Sequence, residues 1–326
     1  MNEMTRRRFL VTGIEAFAFA ASCDAAGIKP PSCPLKAVLV GADTARGKEL
    51  LKWAKEVPGF TMASALDSTA DLSSVLADLT VNALICATPP GRHAGIACAA
   101  LKADKSVFVD PPVGLTDAEC AAVETAAVQS KGVYFYGEKL AASTCYKPGI
   151  EAVLGGAIGE VREAKSWDHG EHYCVFHEFA RKALGVDGEP AKVSRFLDAD
   201  GCGLTRLEYP GGKSLTLERP SRATRDCGLY FLDMPYASVV YGTTGSMVFA
   251  PGDRALLFDR KGVLAKYWEG RDPESVAFAG SLEVPLRNLD IRQLAHFAAC
   301  VNDREIRPYA TLADALAVRR RYAAYA

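Results

Sequence analysis

The sequence predicts an α/β protein of two domains: a doubly wound parallel sheet, then an α+β domain with a mostly antiparallel, open sheet. Its 326 residues suit two domains rather than one. From Lys36 onward, short β-like runs alternate with helical ones, which is typical of a parallel sheet with right-handed crossovers. After about Lys147 longer β-like stretches follow, and two helices end the chain. We therefore assign residues 34–147 to the first domain and 148–326 to the second.

The elements of each domain can be placed in order. In the first domain the pattern predicts strands at 37–40, 61–66, 83–87, 106–109 and 133–136, with helices near 47–55, 72–78, 93–102 and 117–130. In the second it predicts strands at 203–209, 214–218, 245–250, 255–259 and 263–268. The helices between the first five strands are needed to connect parallel neighbours.

The composition excludes several classes of protein. Hydrophobic residues make up 49% of the chain and charged residues 24%, with a formal net charge of −1. This balance is that of a globular protein and does not favour disorder or a nucleic-acid-binding surface.

The first 33 residues are interpreted as an export signal and linker. Thr5-Arg6-Arg7-Arg8-Phe9-Leu10 precedes an apolar stretch from Val11 to Ala21, and this arrangement resembles a twin-arginine signal. The stretch is too short for a bilayer-spanning helix, so we expect a periplasmic protein without a membrane span. A frayed terminus and a lipid anchor at Cys23 are the alternatives.

The ten cysteines do not form a recognisable metal site. The sequence has no C-x-x-C pair, and most cysteines lie singly in apolar segments, as buried thiols do. We expect no structural metal, and Cys202 with Cys227 is the pair to test for a disulfide.

The first predicted strand ends in Gly41-Ala42-Asp43-Thr44-Ala45-Arg46-Gly47, where a pyrophosphate meets a helix N-terminus in a Rossmann domain. Gly41 permits a tight turn, Gly47 allows close helix packing, and Arg46 lies at the start of the helix. Asp43, however, occupies a position where glycine usually lets the backbone approach phosphate, and its carboxylate repels the pyrophosphate unless it turns away. A plain strand–helix turn is the alternative interpretation of this loop.

Asp67 indicates which dinucleotide is bound. It ends the second strand, 26 residues after Gly41, near the spacing at which an acid accepts hydrogen bonds from the adenosine ribose. An acid at this position favours NAD over NADP, although an aspartate that only ends a strand is an equal alternative.

Several landmarks, in order, resemble the glucose-fructose oxidoreductase, inositol dehydrogenase and MocA (Gfo/Idh/MocA) family. They are Ala87-Thr88-Pro89 followed by His93, Ala99-Ala100-Leu101-Lys102-Ala103-Asp104-Lys105, residues 131–138, residues 156–161 and Tyr241-Gly242-Thr243-Thr244-Gly245. The resemblance implies an NAD-dependent oxidoreductase acting on a sugar, cyclitol or sugar derivative. It also implies a homo-oligomer, and it adds Thr88, Pro89, His93 and Pro112 to the cofactor-binding residues Gly41, Arg46, Gly47 and Asp67.

The sequence departs from this family at the catalytic residues. Family dehydrogenases carry Glu-Lys-Pro, whose lysine transfers the substrate proton, and this chain has Asp110-Pro111-Pro112. The family's D-x-x-x-H motif is matched only by His177, with Tyr173 in place of the acid. His177, Lys139 and Asp110 are the candidate catalytic residues, with His169, His172 and Tyr173 nearby. A metal site at His169, His172 and His177 and a merely polar loop are alternatives.

Three functions follow from these observations. The first is an exported oxidoreductase with a non-standard base. The second is a glycosidase that oxidises its substrate transiently and returns the hydride. The third is a non-catalytic binding or assembly protein that keeps the nucleotide.

Overall fold

The computed structural model describes residues 34–57, 59–167, 180–186, 188–199, 202–219, 238–250, 254–269 and 283–323. These residues form two compact units. The first comprises the described parts of Met1–Ala142 and Leu286–Leu316, and the second those of Ser143–Gly270, Gly280–Pro285 and Ala317–Ala326.

The first unit contains a five-stranded, wholly parallel sheet. Its strands are β1 (Leu35–Val40), β2 (Phe60–Leu66), β3 (Ala83–Cys86), β4 (Ser106–Val109) and β5 (Tyr134–Tyr136). Their order is β2-β1-β3-β4-β5, with every neighbouring pair parallel. The order reverses direction beside β1, and in open α/β sheets ligands bind at such a switch point, outside the carboxyl ends of the strands.

Four helices connect these strands: α1 (Ala45–Ala54), α2 (Ser73–Ala77), α3 (His93–Lys102) and α4 (Asp117–Gln129). Threonines fix where two of them begin. Thr44 caps α1, and Thr116 caps α4 in a capping box with Glu119. Single turns of 3₁₀ helix lie at Pro90–Arg92 and Lys139–Ala142.

The parallel sheet is covered on both faces. β3, β4 and β5 are buried throughout, as continuous apolar strands of a parallel sheet are. Leu39, Ile85 and Phe108 lie in one core cluster with Leu50 of α1. Their sequence neighbours face the other core, which includes residues of α3 and α4.

Helix α6 (Glu283–Asn302) changes the predicted domain boundary. Its residues Ile291, Leu294 and Phe297 pack in the core cluster of the parallel sheet that contains α1. The prediction placed all of 148–326 in the second domain, whereas most of α6 belongs to the first unit. An apolar helix stripe indicates burial but not the surface against which it is buried.

The second unit contains α5 (Tyr146–Leu154) and an eight-stranded sheet. The strands are β6 (Val161–Trp167), β7 (Lys192–Leu197), β8 (Gly203–Glu208), β9 (Ser214–Arg219), β10 (Ser238–Gly242), β11 (Gly245–Ala250), β12 (Arg254–Asp259) and β13 (Leu264–Glu269). Their order is β13-β12-β11-β10-β6-β9-β8-β7, and only β6 with β9 is parallel among the described pairs. The predicted fold class is therefore confirmed. The prediction lacked β7, whose largely exposed residues give no alternation of burial, as well as β6 and β10.

A last helix, α7 (Leu312–Ala323), contributes Ala315 and Leu316 to the core of the first unit. No helix among the described residues has the length and hydropathy to cross a bilayer. The predicted export signal and Cys23 lie outside the described residues.

The glycine in α1 provides a test of this packing. A Cβ atom at Gly47 would lie 1.8 Å from the carbonyl oxygen of Gly41. We expect Gly47→Ala to lower the free energy of unfolding by about 3 kcal/mol, because the overlapping atom is backbone and the turn must shift. Urea denaturation followed by tryptophan fluorescence measures the loss.

Gly95→Ala is the matched control, since Gly95 is exposed in α3 and its Cβ would meet nothing within 4 Å. We expect this variant to gain about 0.5–1 kcal/mol from helix propensity. Equal stability of the two variants would contradict the packing described here.

Candidate functional site

The loop between β1 and α1 is a tight turn held against the end of β3. Gly41 has φ +107°, and a Cβ there would lie 2.4 Å from the carbonyl oxygen of Ala87. An L side chain is excluded both by the backbone conformation and by this contact. Gly41 and Gly47 therefore shape the loop as predicted, by allowing close approach of the backbone.

The N-terminus of α1 opens onto this loop. The Thr44 hydroxyl accepts the N–H of Gly47 at 2.8 Å and lies within hydrogen-bonding distance of the Gly41 and Ala87 carbonyl oxygens. Ala45 and Arg46 are the first two residues of the helix, and N–H groups at these positions have no partner within a helix. Together with the helix dipole they suit a phosphate group.

The carboxylate of Asp43 turns away from these donors. It accepts the N–H of Ser68 at 2.6 Å and the Ser68 hydroxyl at 2.7 Å. These hydrogen bonds lower the pKa of Asp43 below its usual value. The repulsion anticipated from the sequence is thus reduced, because the charge is directed to the end of β2.

Asp67 lies at that same end of β2. The N–H groups of Gly41 and Ala42 both donate to the carbonyl of Leu66, so the glycine loop is bonded to the residue before Asp67. The Asp67 side chain is exposed. A carboxylate is therefore presented to solvent beside the glycine loop, as the sequence predicts for a ribose-binding acid.

His93, predicted as a cofactor-binding residue, is buried between two backbone carbonyl groups. Its ring is 2% exposed, with Nδ1 2.8 Å from the carbonyl oxygen of Pro112 and Nε2 2.7 Å from that of Thr88. Both ring nitrogens are engaged by backbone, so His93 is a positioning residue. It ties the turn after β3, with Thr88 and Pro89, to the loop after β4, with Pro112.

Arg46, predicted as a cofactor-binding residue, and Asp110, predicted as a catalytic residue, contact each other. The Arg46 guanidinium forms a two-pronged contact with Asp110, at 2.6 and 3.2 Å, and a second with Asp290 of α6, at 2.8 and 2.7 Å. Nη1 also lies 3.5 Å from Glu49. All three guanidinium nitrogens therefore donate to carboxylates, and Arg46 is not directed at a cofactor phosphate.

These three side chains, Arg46, Asp110 and Asp290, form what we call the Asp–Arg–Asp triad. Burial opposes the charge of Arg46, but the two carboxylates outweigh it and raise the pKa of the guanidinium well above its usual value. A carboxylate bound by two guanidinium nitrogens is a poor proton acceptor. The geometry thus argues against Asp110 as a general base and favours a positioning role.

The loop that carries Asp110 is closely packed. A Cβ atom at Gly137, just after β5, would lie 2.7 Å from the Phe108 ring and 3.0 Å from the Asp110 carboxylate. In the loop that carries Asp110, the peptide bond between Pro111 and Pro112 is cis. Pro111 stands where the resembling family has its lysine, so an apolar ring fills that position.

The other candidate residues fall largely outside the described residues. His169, His172, Tyr173 and His177 all lie in an undescribed segment. Lys139 begins a 3₁₀ turn, but its side chain is not described. Their catalytic roles stay predictions.

The described residues contain no group of three histidine, cysteine, aspartate or glutamate side chains arranged to hold a metal ion. The alternative metal site at His169, His172 and His177 lies outside them. Cys202 is a described residue and a free thiol. Cys227, with which it was to be tested for a disulfide, lies outside the described residues.

Ser68 and Asp290 were not predicted from the sequence. Asp290 is 244 residues from Arg46, and no spacing rule connects them. For Ser68 a signal existed, since an acid in a glycine loop needs a donor and Ser68 follows the acid that ends β2.

One family model matches part of this chain. Residues 35–138 match the GFO_IDH_MocA model, an oxidoreductase family with an NAD-binding Rossmann fold. No match is found among curated proteins.

Solved structures extend the similarity in fold to both units. An inositol dehydrogenase homolog from Azotobacter vinelandii, complexed with NAD⁺, has 14% identity and a TM-score of 0.66 over 90% of this chain and 95% of its own. A putative oxidoreductase from Magnetospirillum magnetotacticum MS-1 has 20% identity and a TM-score of 0.64, covering 89% and 99%. Levoglucosan dehydrogenase, complexed with NADH and levoglucosan, has 16% identity and a TM-score of 0.65, covering 87% and 94%.

The class of the first unit follows from these findings. Its parallel sheet, its glycine turn and the family match define residues 35–138 as a Rossmann domain of the type found in Gfo/Idh/MocA oxidoreductases. The predicted cofactor, NAD, agrees with that family's description. At these identities the solved structures show the fold alone.

The triad can be tested by removing its cation. We expect Arg46→Met to lower the free energy of unfolding by about 3–5 kcal/mol, because it removes the cation that contacts Asp110 and Asp290, whose side chains are 12% and 2% exposed. Urea denaturation measures this change.

Arg162→Met is the control, because the ion pair of Arg162 with Glu160 is more than half exposed and should contribute at most about 1 kcal/mol. The double variant Arg46→Met, Asp290→Asn should recover part of the loss. A loss for Arg46→Met no larger than that of the control would show that the triad does not stabilise the fold.

Proposed function

We propose that this protein is an NAD-dependent oxidoreductase of the Gfo/Idh/MocA type that acts on a sugar, cyclitol or sugar derivative. The observation that carries the proposal is the exposed Asp67 carboxylate beside the Gly41 turn and the N-terminus of α1. These are the groups that hold the adenosine ribose and the pyrophosphate of a dinucleotide.

The residues of the first unit fit the cofactor. The Asp67 carboxylate would accept hydrogen bonds from the ribose hydroxyls, and the first N–H groups of α1 would bind the pyrophosphate. His93 contacts the carbonyl oxygens of Thr88 and Pro112 and so joins the two loops. Bound NAD⁺ would supply a hydride acceptor for a carbinol carbon.

The substrate class is supported by the nature of the similar proteins. One is an inositol dehydrogenase homolog, and another is a levoglucosan dehydrogenase. The inositol dehydrogenase homolog also has a structure with NADH and myo-inositol, and myo-inositol and levoglucosan are both polyhydroxylated rings with secondary carbinols. A related substrate for this chain follows by analogy with these proteins.

The proton acceptor must differ from the family's lysine. Pro111 has no ionisable group, and Asp110 is bound by Arg46. We therefore propose His177 or Lys139 as the base that takes the hydroxyl proton.

A second candidate function is a redox-neutral one, either glycoside cleavage through transient oxidation or nucleotide-dependent binding without catalysis. Pro111 in place of the lysine favours the binding form, because a proton acceptor is lost while the dinucleotide site is untouched. Transient oxidation would still need a base such as His177 or Lys139 to take the hydroxyl proton. Bound NAD with glycoside cleavage and no NADH release would support the first form. Bound NAD with neither reaction would support the second.

Export and assembly complete the proposal. The Arg6-Arg7 motif supports twin-arginine export to the periplasm, a pathway suited to a protein that folds around its nucleotide beforehand. Resemblance to the family supports a homo-oligomer. Signal cleavage is measured by mass spectrometry of the exported chain, and assembly by light scattering.

The nucleotide site is tested by Asp67→Asn. We expect NAD⁺ affinity to fall roughly tenfold or more, because hydrogen bonds from the ribose hydroxyls to a charged acceptor are weakened. Isothermal titration calorimetry with NAD⁺ measures the dissociation constant. Asp71→Asn is the control, since Asp71 carries the same charge on the same connection but hydrogen-bonds Ser73. Equal affinities of both variants and the wild type would remove Asp67 from the site.

The catalytic proposal is tested by His177→Ala and Lys139→Ala. For the true base we expect turnover of the polyol substrate to fall about 100-fold or more while NAD⁺ affinity stays unchanged. Steady-state NADH formation across a panel of cyclitols and sugars measures turnover. If no panel member reduces NAD⁺ with the wild type, net dehydrogenation of these substrates is excluded.

A further inference from the structure

Two carboxylates lie at the end of β2, where one is sufficient to bind a ribose. Asp67 is exposed beside the glycine loop, and Asp43 reaches the next residue, Ser68, from the loop itself. The first fits the proposed function directly. The second is not among the groups that the proposed function assigns to NAD binding.

The partners of Asp43 are those of a bound oxyanion. Its two oxygens separately accept the Ser68 N–H at 2.6 Å and the Ser68 hydroxyl at 2.7 Å. A backbone N–H and a serine hydroxyl are common donors to phosphate. Ser68 itself is buried, which orients both donors.

A cation lies close to the same residue. The Arg92 guanidinium donates to the carbonyl oxygen of Ser68, so its positive charge lies beside the residue that bears the two donors. In a Rossmann domain an arginine near the end of this strand is what accommodates the 2′-phosphate of NADP. Ser68 and Arg92 together therefore supply the donors of a 2′-phosphate site.

We propose that Asp43 is an internal anion that occupies this 2′-phosphate site and excludes NADP. This inference rests on the proposed function, because it assumes that the adenosine ribose binds at Asp67. Asp43 acts in two ways: its carboxylate engages the Ser68 donors, and its negative charge repels a phosphate. Asp67, by contrast, discriminates through its contact with the ribose hydroxyl.

The inference also accounts for an aspartate within the glycine loop. A carboxylate so close to the pyrophosphate is unfavourable unless it is directed elsewhere, and Ser68 provides that alternative direction. The interaction joins the loop to the end of β2 across 25 residues. Since it is intramolecular, a 2′-phosphate must displace it before binding.

The test is a comparison of NAD⁺ and NADP⁺ binding by titration calorimetry. For Asp43→Ala we expect the dissociation constant for NADP⁺ to fall roughly tenfold or more, because charged hydrogen bonds to Ser68 become available. The constant for NAD⁺ should change less than about threefold by the same reasoning. The double variant Asp43→Ala, Ser68→Ala should lose part of the gain in NADP⁺ binding, because it lacks the hydroxyl donor but keeps the backbone N–H.

Asp43→Asn covers the case in which the alanine variant does not fold. It keeps an acceptor for Ser68 while removing the charge, so it should give a smaller gain in NADP⁺ affinity. Binding of 2′,5′-ADP against 5′-AMP provides a second readout without the nicotinamide.

The outcomes separate this inference from the proposed function. If NAD⁺ binding is intact but neither variant gains affinity for NADP⁺ or 2′,5′-ADP, the proposed role of Asp43 is overturned. The proposed function is not affected by that result. Failure of the wild type to bind either dinucleotide overturns the proposed function, and this inference with it. If Asp43→Ala and the double variant gain NADP⁺ affinity equally, charge repulsion acts without occupation of the Ser68 donors. This result would overturn the proposal that Asp43 occupies the 2′-phosphate site.

Discussion

The Asp–Arg–Asp triad is the interaction on which the first unit depends. Arg46 of α1 binds Asp110 after β4 and Asp290 of α6, so one guanidinium joins three segments that are distant in sequence. Buried carboxylates are costly to desolvate, and a fork of donors that contacts both offsets that cost. The triad thus fixes the start of α1, where the glycine loop ends, relative to the loop that carries Pro111 and Pro112.

This use of charge has a consequence for catalysis. In the resembling family the loop after this strand supplies a proton-transferring lysine, whereas here its acid is committed to Arg46 and the lysine position holds Pro111. Asp67 and the glycine turn, the residues of the proposed dinucleotide site, lie at the ends of β1 and β2 rather than in this loop. Under the proposed function, the base must therefore come from another segment.

The glycine loop shows how a departure from a motif can be accommodated. Asp43 is unfavourable for phosphate binding only if its carboxylate faces the ligand. Ser68 provides two donors at the end of the neighbouring strand, and the carboxylate turns to them. Thr44, the residue after it, caps the helix. The loop then keeps the two properties a dinucleotide needs, close backbone approach at Gly41 and an open helix N-terminus.

The sequence by itself determined the alternation of strands and helices, the parallel sheet, the strand-rich second unit and the positions of Gly41, Gly47 and Asp67. These depend on local properties: residue periodicity, capping and backbone freedom. Only the tertiary structure decided the partners of Arg46, Asp110, His93 and Asp43. A charged side chain can reach several groups, and the choice among them depends on which distant segments pack nearby. For the same reason the sequence could not place α6 against the parallel sheet, since its apolar stripe shows that it is buried but not where.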